Sequence, residues 1–463
     1  MNPSAFHIVI LAAGKGTRMR SDKPKVLHTL AGQPLLAHVL ATAKALKPAS
    51  LNVVVGFKAE QVKAQVNDAS VNWIIQPEQN GTGDAVACAL AQMDVAAHDR
   101  ILVLLGDVPL IDTETLSGLL ELNPQAAVSL LTSVVEQPEG YGRIVRDVDG
   151  QVQAIVEQKD ADAQTRAIKE VNTGIMLLKA EALLRWLPQL TPKNAQGELY
   201  LTDVIAMARA DGLTVAAHIA DAHWRTQGIN DLVALSECER HYQIAQARAL
   251  QRAGVQVIDP NRFSVRGQLQ VQTDVMIDVG CVFEGTVVLE SGVQIEPYCV
   301  LRDCVVGAGG RVCAYSHLEG ATLGMGVQVG PYARLRPGTV LEAQAKVGNF
   351  VEIKNARLGE RAKANHLSYV GDATIGADSN LGAGTITCNY DGANKHHTQV
   401  GAGVFVGSAV QLVAPVQVGE NATIGAGSTI TRNVSADTLA VARTRQKEIS
   451  GWQRPVKTSK AKV

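Results

Sequence analysis

The stretch Val418-Gly419-Glu420-Asn421-Ala422-Thr423-Ile424-Gly425-Ala426-Gly427 sets an aliphatic side chain, Val418 and then Ile424, six residues apart among small ones. The register extends outward: Val400, Val406, Leu412, Val418, Ile424 and Ile430 form one unbroken run. Val329, Leu335, Leu341, Val347 and Ile353 form a second, and Ile277, Phe283, Leu289, Ile295 and Leu301 a third. A period of six matches neither the 3.6 of a helix nor the two of an amphipathic strand. It predicts a left-handed parallel β-helix of hexapeptide repeats, whose coils stack and bury the recurring side chain. The segment is long enough for about ten coils if three hexapeptides close one turn.

The register slips near 302–323 and 356–381 and breaks between Ile386 and Val400. The break holds Thr387-Cys388-Asn389-Tyr390-Asp391-Gly392-Ala393-Asn394-Lys395-His396-His397. Insertions leave a solenoid as loops on one face, often the binding face. A loop bearing Asn, Tyr, Lys and His is therefore a better functional candidate than the coils around it.

Upstream the pattern is different. From Phe6 to about Gln227, short apolar runs (His7–Leu11, Leu51–Val55, Ile101–Leu105, Ala127–Leu131) alternate with helix-like stretches such as Leu35–Leu46, Gly83–Met93 and Thr113–Leu122. That alternation predicts an α/β, Rossmann-like mixed sheet, mostly parallel in direction, with ligands beyond the carboxyl ends of its strands. Residues 230–253 read as a charged connecting helix. The expected organisation is thus 1–229, an α/β domain; 230–253, a helical linker; and 254–463, the β-helix with a C-terminal tail.

The bulk composition narrows the function. With 463 residues, 46% of them apolar, the chain can fill two or three cores; with 4% aromatic residues those cores must be aliphatic. A net charge of -1 gives no field that would draw the protein to nucleic acid or a membrane surface. The short basic tail Lys457–Lys462 is expected to be simply solvated. No run approaches a membrane span, and no secretory pattern precedes the first strand-like run, so no membrane insertion is expected. The seven cysteines show no CxxC pair and no zinc spacing. Cys281, Cys299, Cys304 and Cys313 read as small buried hydrophobes in a reducing, cytoplasmic setting.

Leu11-Ala12-Ala13-Gly14-Lys15-Gly16-Thr17-Arg18-Met19 follows the first strand-like run, and Pro24-Lys25-Val26-Leu27 comes soon after. Glycines let backbone N–H groups approach phosphate oxygens, and Lys15, Arg18 and Lys25 can neutralise a triphosphate and its leaving pyrophosphate. A dinucleotide fingerprint would need glycine at Met19, and the Walker A spacing is absent. Asp107 ends an apolar strand as a hard oxygen ligand suited to Mg²⁺, or as a strand-end turn former; Asp112 is the better helix cap.

The segment LAAGKGTRM…PKVL resembles the signature of sugar-phosphate nucleotidyltransferases. Together with the hexapeptide domain, the order of motifs resembles the bifunctional N-acetylglucosamine-1-phosphate uridyltransferases that are also glucosamine-1-phosphate N-acetyltransferases. The resemblance covers nearly the whole chain. It implies a UDP-sugar site of Leu11, Ala12, Ala13, Gly14, Lys25, Gln76, Gly81, Thr82, Leu105, Gly106, Asp107, Gly142, Glu157, Asn172 and Asn230. Gln76, Gly81 and Thr82 would hold the base, and Gly142, Glu157 and Asn172 the sugar. Asp107 and Asn230 would hold Mg²⁺, and Arg18 and Lys25 would act on UTP. Without the resemblance, Glu157 reads as a solvated strand residue and Asn172 as a turn former. Two positions depart from the family's pattern: Leu105 where an aromatic is common, and Asp231 where a second Asn is common.

In the β-helix half, acetyl transfer to an amine needs a base, and imidazole titrates near neutral pH. On chemistry alone His317, His366, His396 and His397 all qualify; the resemblance selects His366. It also implies that Arg336, Lys354, Tyr369 and Asn380 hold the amino-sugar phosphate. Asn389 and Tyr390 would orient the reacting groups, and with Ala383, Ser408, Ala426 and Arg443 they would meet acetyl-CoA. A homotrimer, whose neighbouring chains wall a shallow cleft, follows from the same resemblance. Two other readings stay open: a single-activity nucleotidyltransferase with a regulatory or oligomerising β-helix, and a non-enzymatic scaffold.

Overall fold

The computed structural model describes residues 5–455. The basic tail lies outside them. Contacts divide the chain into two compact units, Met1–Ala247 and Arg248–Val463.

The first unit is built on strands β1 (Phe6–Ala12), β2 (Ser50–Val55), β3 (Asn72–Ile75), β4 (Arg100–Leu105), β5 (Val128–Val134), β6 (Arg143–Arg146), β7 (Val152–Val156), β8 (Glu170–Lys179) and β9 (Val215–Ile219). Their order across the sheet is β9-β5-β8-β4-β1-β2-β3, with the β6–β7 hairpin leaning on β8. β1 runs parallel to β2 and β4, β2 to β3, and β9 to β5, while β8 is antiparallel to β4 and β5. The sheet is therefore mixed. Central strands read as continuous apolar runs because both faces are covered. Ile8, Ile10, Leu102 and Leu104 enter one core and Val9, Ile101 and Val103 the other, all fully buried.

Register decides where a ligand can sit. Leu11 pairs with Leu105 and Ala12 with Val55, so β1, β2 and β4 end level with one another. The loops carrying Gly14 and Asp107 leave from that shared edge. Helix α1 (Leu35–Ala45), helix α2 (Thr82–Leu90) and helix α3 (Thr113–Glu121) coincide with the expected helical stretches. Asp112 caps α3, accepting from Thr115 N–H at 2.8 Å.

Helix α4 (Leu232–Arg252) runs across the division between the units. Its first half belongs to a core. Cys238 is buried against Met19, Leu30 and Leu35, and Glu239 accepts from Ala31 N–H at 2.7 Å. Burial pushes the Cys238 thiol up to about 12. No described helix is long and apolar enough to cross a membrane.

The second unit is a prism of three parallel ladders. One column stacks Ile277, Ile295, Val312, Val329, Val347, Ala364, Leu381, Val406 and Ile424. A second includes Phe283, Leu301, Leu318, Leu335, Ile353 and Val370, and then Thr387, Leu412 and Ile430. The third runs from Val271 through Leu289, Val306, Leu323, Leu341, Leu358, Ile375 and Val400 to Val418. Every residue of the three sequence registers lies inside, none more than 4% exposed. The slips have a simple cause. Leu301 to Val306, Leu318 to Leu323, Ile353 to Leu358 and Val370 to Ile375 are steps of five rather than six. Each shortens a corner without turning the column outward. Cys281, Cys299, Cys304 and Cys313 are buried free thiols. At the outright break, Thr387 still occupies its column, the chain loops out, and Thr398 re-enters the ladder.

Candidate active sites

In the first unit a cavity of about 290 Å³ opens at the shared strand edge. Leu11, Ala12, Ala13, Gly14, Lys25, Gln76, Gly81, Thr82, Leu105 and Asp107 all line it. A second cavity of about 360 Å³ is lined by Arg18, Gly142, Glu157, Asn172 and Asn230, and shares Leu105 and Asp107 with the first. Gly106 stands between the two shared residues. The proposed UDP-sugar residues thus gather from loops more than 200 residues apart in sequence.

The two cavities meet at a cation. Lys25 Nζ forms an ion pair with Asp107 Oδ2 and donates to Asn230 Oδ1 at 3.2 Å. Gly16 makes this reach feasible. It sits at φ 64°, and a Cβ there would lie 2.6 Å from Lys25 Cβ. The two oxygens, one carboxylate and one amide, are hard donors converging on one positive centre, and so fit Mg²⁺. Lys15 lies apart, its ammonium 5.7 Å from the centre of the Phe57 ring.

In the second cavity, burial pushes the Glu157 carboxyl above its ordinary value; Asp160 and Asp203 add to the shift and Arg143 opposes it. Arg143 is itself 1% exposed. Its guanidinium donates to the Tyr141 carbonyl and, at 2.7 Å, to Gln158 Oε1. That pins the Gly140–Gly142 loop beside Glu157. Burial raises the Tyr141 phenol, and the Asp107 charge raises it further.

In the second unit His366 ends the strand Lys363–His366 and is exposed on the solenoid surface of the single chain. Its Nδ1 lies 2.9 Å from Asn349 Oδ1, one coil earlier. Successive coils repeat this corner. The His366 carbonyl accepts from Gly384 N–H, Ala383 from Ala409, and Ser408 from Gly427. Arg443 donates to the Ala426 carbonyl. His366, Ala383, Ser408 and Ala426 therefore form one line up the corner, about 4.8 Å per coil, closed by Arg443.

The cations form a separate group. Arg336 donates to Glu352 Oε1 at 2.8 Å, and Glu352 is in register with Tyr369. Lys395 of the insertion stands beside Lys354 and, with Arg336, holds the Lys354 ammonium below its ordinary value. Asp372 lies between the loop and the coils, accepting from Asn355 at 2.6 Å and from Asn389. Burial raises the Asp372 carboxyl, but these hydrogen bonds and the Lys354 and Lys395 charges hold it below its ordinary value. Asn389 is buried and Tyr390 exposed. Asn380 is on another ladder, in register with Lys363 and Phe405.

The MobA-like NTP transferase domain family matches residues 8–171, and the bacterial transferase hexapeptide family (six repeats) matches residues 397–432. Bifunctional protein GlmU of Stutzerimonas stutzeri is 57% identical over 98% of this chain and 100% of its own length. Bifunctional protein GlmU of Pseudomonas putida (strain GB-1) is 55% identical over 99% and 100%, and that of Marinobacter nauticus 53% over 98% and 100%.

The chain belongs to the GlmU family.

Within this GlmU family member, sequence reasoning missed several residues. Lys395 was visible only as one member of a polar loop. Asn349, Asp372 and Asp84 were not singled out at all. Each acquires its meaning from a neighbour that stacking or a turn brings to it, and spacing alone carried no signal for that.

Proposed function

We infer that the chain is an enzyme with two transferase activities in UDP-N-acetylglucosamine synthesis. The C-terminal unit acetylates glucosamine 1-phosphate with acetyl-CoA. The N-terminal unit transfers UMP from UTP to N-acetylglucosamine 1-phosphate and releases pyrophosphate. The observation that carries this reading is the presence, in one chain, of two separate constellations suited to these chemistries. One is the Lys25, Asp107 and Asn230 cluster between two cavities. The other is the line from His366 to Arg443.

In uridyl transfer a sugar-phosphate oxygen attacks the α-phosphorus, forming one P–O bond as the α–β bridging bond breaks. Positioning and charge neutralisation carry the rate. Gln76, Gly81 and Thr82 hold the base; Gly142, Glu157 and Asn172 hold the sugar. Arg18 and Lys25 stabilise the phosphates. Asp107 and Asn230 would hold Mg²⁺, which when bound offsets the charge on the phosphate oxygens.

In acetyl transfer His366 takes the proton of the amine as its nitrogen attacks the thioester carbonyl, and the CoA sulfur departs. Arg336, Lys354 and Lys395 bind the phosphate, with Tyr369 and Asn380 completing the sugar pocket. Asn389 and Tyr390 orient the reacting groups. Ala383, Ser408, Ala426 and Arg443 meet acetyl-CoA. His366 is exposed in the single chain, and a homotrimer would supply the missing wall. A cytoplasmic location agrees with seven free cysteines.

The test is an assay of purified protein with glucosamine 1-phosphate, acetyl-CoA, UTP and Mg²⁺. CoA release, pyrophosphate release and a UDP-sugar product are expected. Pyrophosphate release from pre-acetylated substrate without any CoA release would favour a single-activity nucleotidyltransferase. Neither product would leave the scaffold reading.

A further inference from the structure

Gln76 is 3% exposed at the wall of the nucleotide cavity. Its amide nitrogen donates twice: to Asp84 Oδ2 at 2.7 Å and to the Gly81 carbonyl at 3.1 Å. Both partners are oxygens that only accept. Turning the amide over would set Gln76 Oε1 against two acceptors, so the network admits one orientation. The lock is short-range. Asp84 lies in the first turn of α2, where the helix N-terminus favours a negative charge. Gly81, the residue before that helix, sits at φ 114°, and a Cβ there would lie 2.6 Å from the Leu199 carbonyl.

What remains of the amide is its oxygen. Among the described residues nothing donates to Gln76 Oε1. Nor is it among the sealed polar atoms that lack a partner. It is therefore open to the cavity that Gln76 lines. A pyrimidine with a ring N–H, such as uracil, can donate to this oxygen. Cytosine presents a bare ring nitrogen at the same place and would set acceptor against acceptor.

We propose that Asp84 is a specificity-determining residue: by accepting one Gln76 amide proton, beside the Gly81 carbonyl that accepts the other, it fixes an acceptor in the base pocket and so selects uracil over cytosine. The proposal rests on the uridyltransferase reading of the N-terminal unit. Gly81 supplies the second acceptor but, through its backbone, cannot be changed in character. Asp84 is the member of the lock whose chemistry a substitution can reverse.

The experiment measures kcat/KM for UTP and for CTP with N-acetylglucosamine 1-phosphate and Mg²⁺, using the full chain. Wild type and the variants Asp84→Asn, Asp84→Ala and Gln76→Ala are compared. Asparagine donates as well as accepts, so Asp84→Asn removes one of the two obligate acceptors and leaves only the Gly81 carbonyl to hold the Gln76 amide. The UTP-to-CTP ratio should fall about ten- to a hundred-fold in Asp84→Asn, since a mismatched buried polar pair costs that much. It should fall in Asp84→Ala and in Gln76→Ala as well. Loss of activity toward both nucleotides in equal proportion, with the ratio unchanged, would mean that Asp84 only supports the helix, and would overturn the proposal. If an Asp84 variant does not fold, a ratio retained in Gln76→Ala overturns it equally. A wild-type protein that uses neither nucleotide would instead sink the uridyltransferase reading itself.

Discussion

His366 and Asn349 occupy the same corner of neighbouring coils, with His366 Nδ1 2.9 Å from Asn349 Oδ1. An amide oxygen only accepts, so Nδ1 donates to it, and in the neutral ring that leaves Nε2 as the nitrogen with the lone pair. A free Nε2 is what a base needs to take a proton from an amine. His366→Ala should lower acetyl transfer by about a hundred- to ten-thousand-fold. Asn349→Ala, which frees the ring to adopt the other tautomer, should lower kcat by about tenfold or more with little change in KM for acetyl-CoA. CoA release followed with a thiol reagent checks both. UDP-sugar formation from N-acetylglucosamine 1-phosphate should stay at the wild-type rate, and a parallel loss of both activities in a folded variant would contradict the two-site reading.

At the other site, Lys25 bridges Asp107 and Asn230. If those oxygens serve a divalent cation, removing one should weaken the metal before it weakens the sugar. Asp107→Ala is expected to cut pyrophosphate release by about a hundred- to a thousand-fold at fixed Mg²⁺. Asn230→Ala, which removes a neutral ligand, should raise the Mg²⁺ concentration for half-maximal rate with a smaller loss at saturation. A Mg²⁺ titration of pyrophosphate release separates the two effects. CoA release by the same proteins should not change.

The fold was legible because its determinant repeats. An inward residue every sixth position needs no knowledge of distant contacts, and the five-residue steps left each column intact. Part of the cluster at the strand edge was legible for a related reason: Gly14, Gly16 and Lys25 lie within one short segment. Lys395 was not legible. It meets Lys354 only because the insertion leaves its coil beside that column, and loop composition does not say which way a loop folds. Asn349 was hidden in the same way, since its partner is 17 residues on, one coil away. Asp84 sits eight residues from Gln76, a separation that carries no signal until the Gly81 turn brings the two together.

The Lys354–Lys395 pair leads to a pH prediction. Lys395, with Arg336, holds the Lys354 ammonium below the ordinary lysine value. The sign follows directly: like charges disfavour the protonated form, so Lys354 loses its charge earlier as pH rises. The KM for glucosamine 1-phosphate should therefore begin to climb below the pH at which an ordinary lysine titrates. Lys395→Ala should raise KM at neutral pH, because one phosphate partner is lost, yet move the alkaline climb to higher pH. KM measured from neutral to alkaline pH in both proteins is the check. An alkaline limb that does not move would mean the two side chains do not interact.

The β-helix makes a last prediction about stability. Leu289 is fully buried and stacks between Val271 and Val306, whereas Val305, next to Val306, is 36% exposed. Leu289→Ala removes apolar volume from a column that cannot close around the gap, because the coils on either side are held by their own ladder hydrogen bonds. It should cost about 2–5 kcal/mol. Val305→Ala should change stability by about 0.5 kcal/mol or less. In a solenoid each coil contacts only its neighbours, so the damage should stay local. Denaturant unfolding followed by circular dichroism should show the C-terminal transition shifted in Leu289→Ala alone. CoA release by that variant at low temperature should match wild type, since His366 lies several coils away; a loss of acetyl transfer as large as the loss of stability would show that the coils are coupled over longer range.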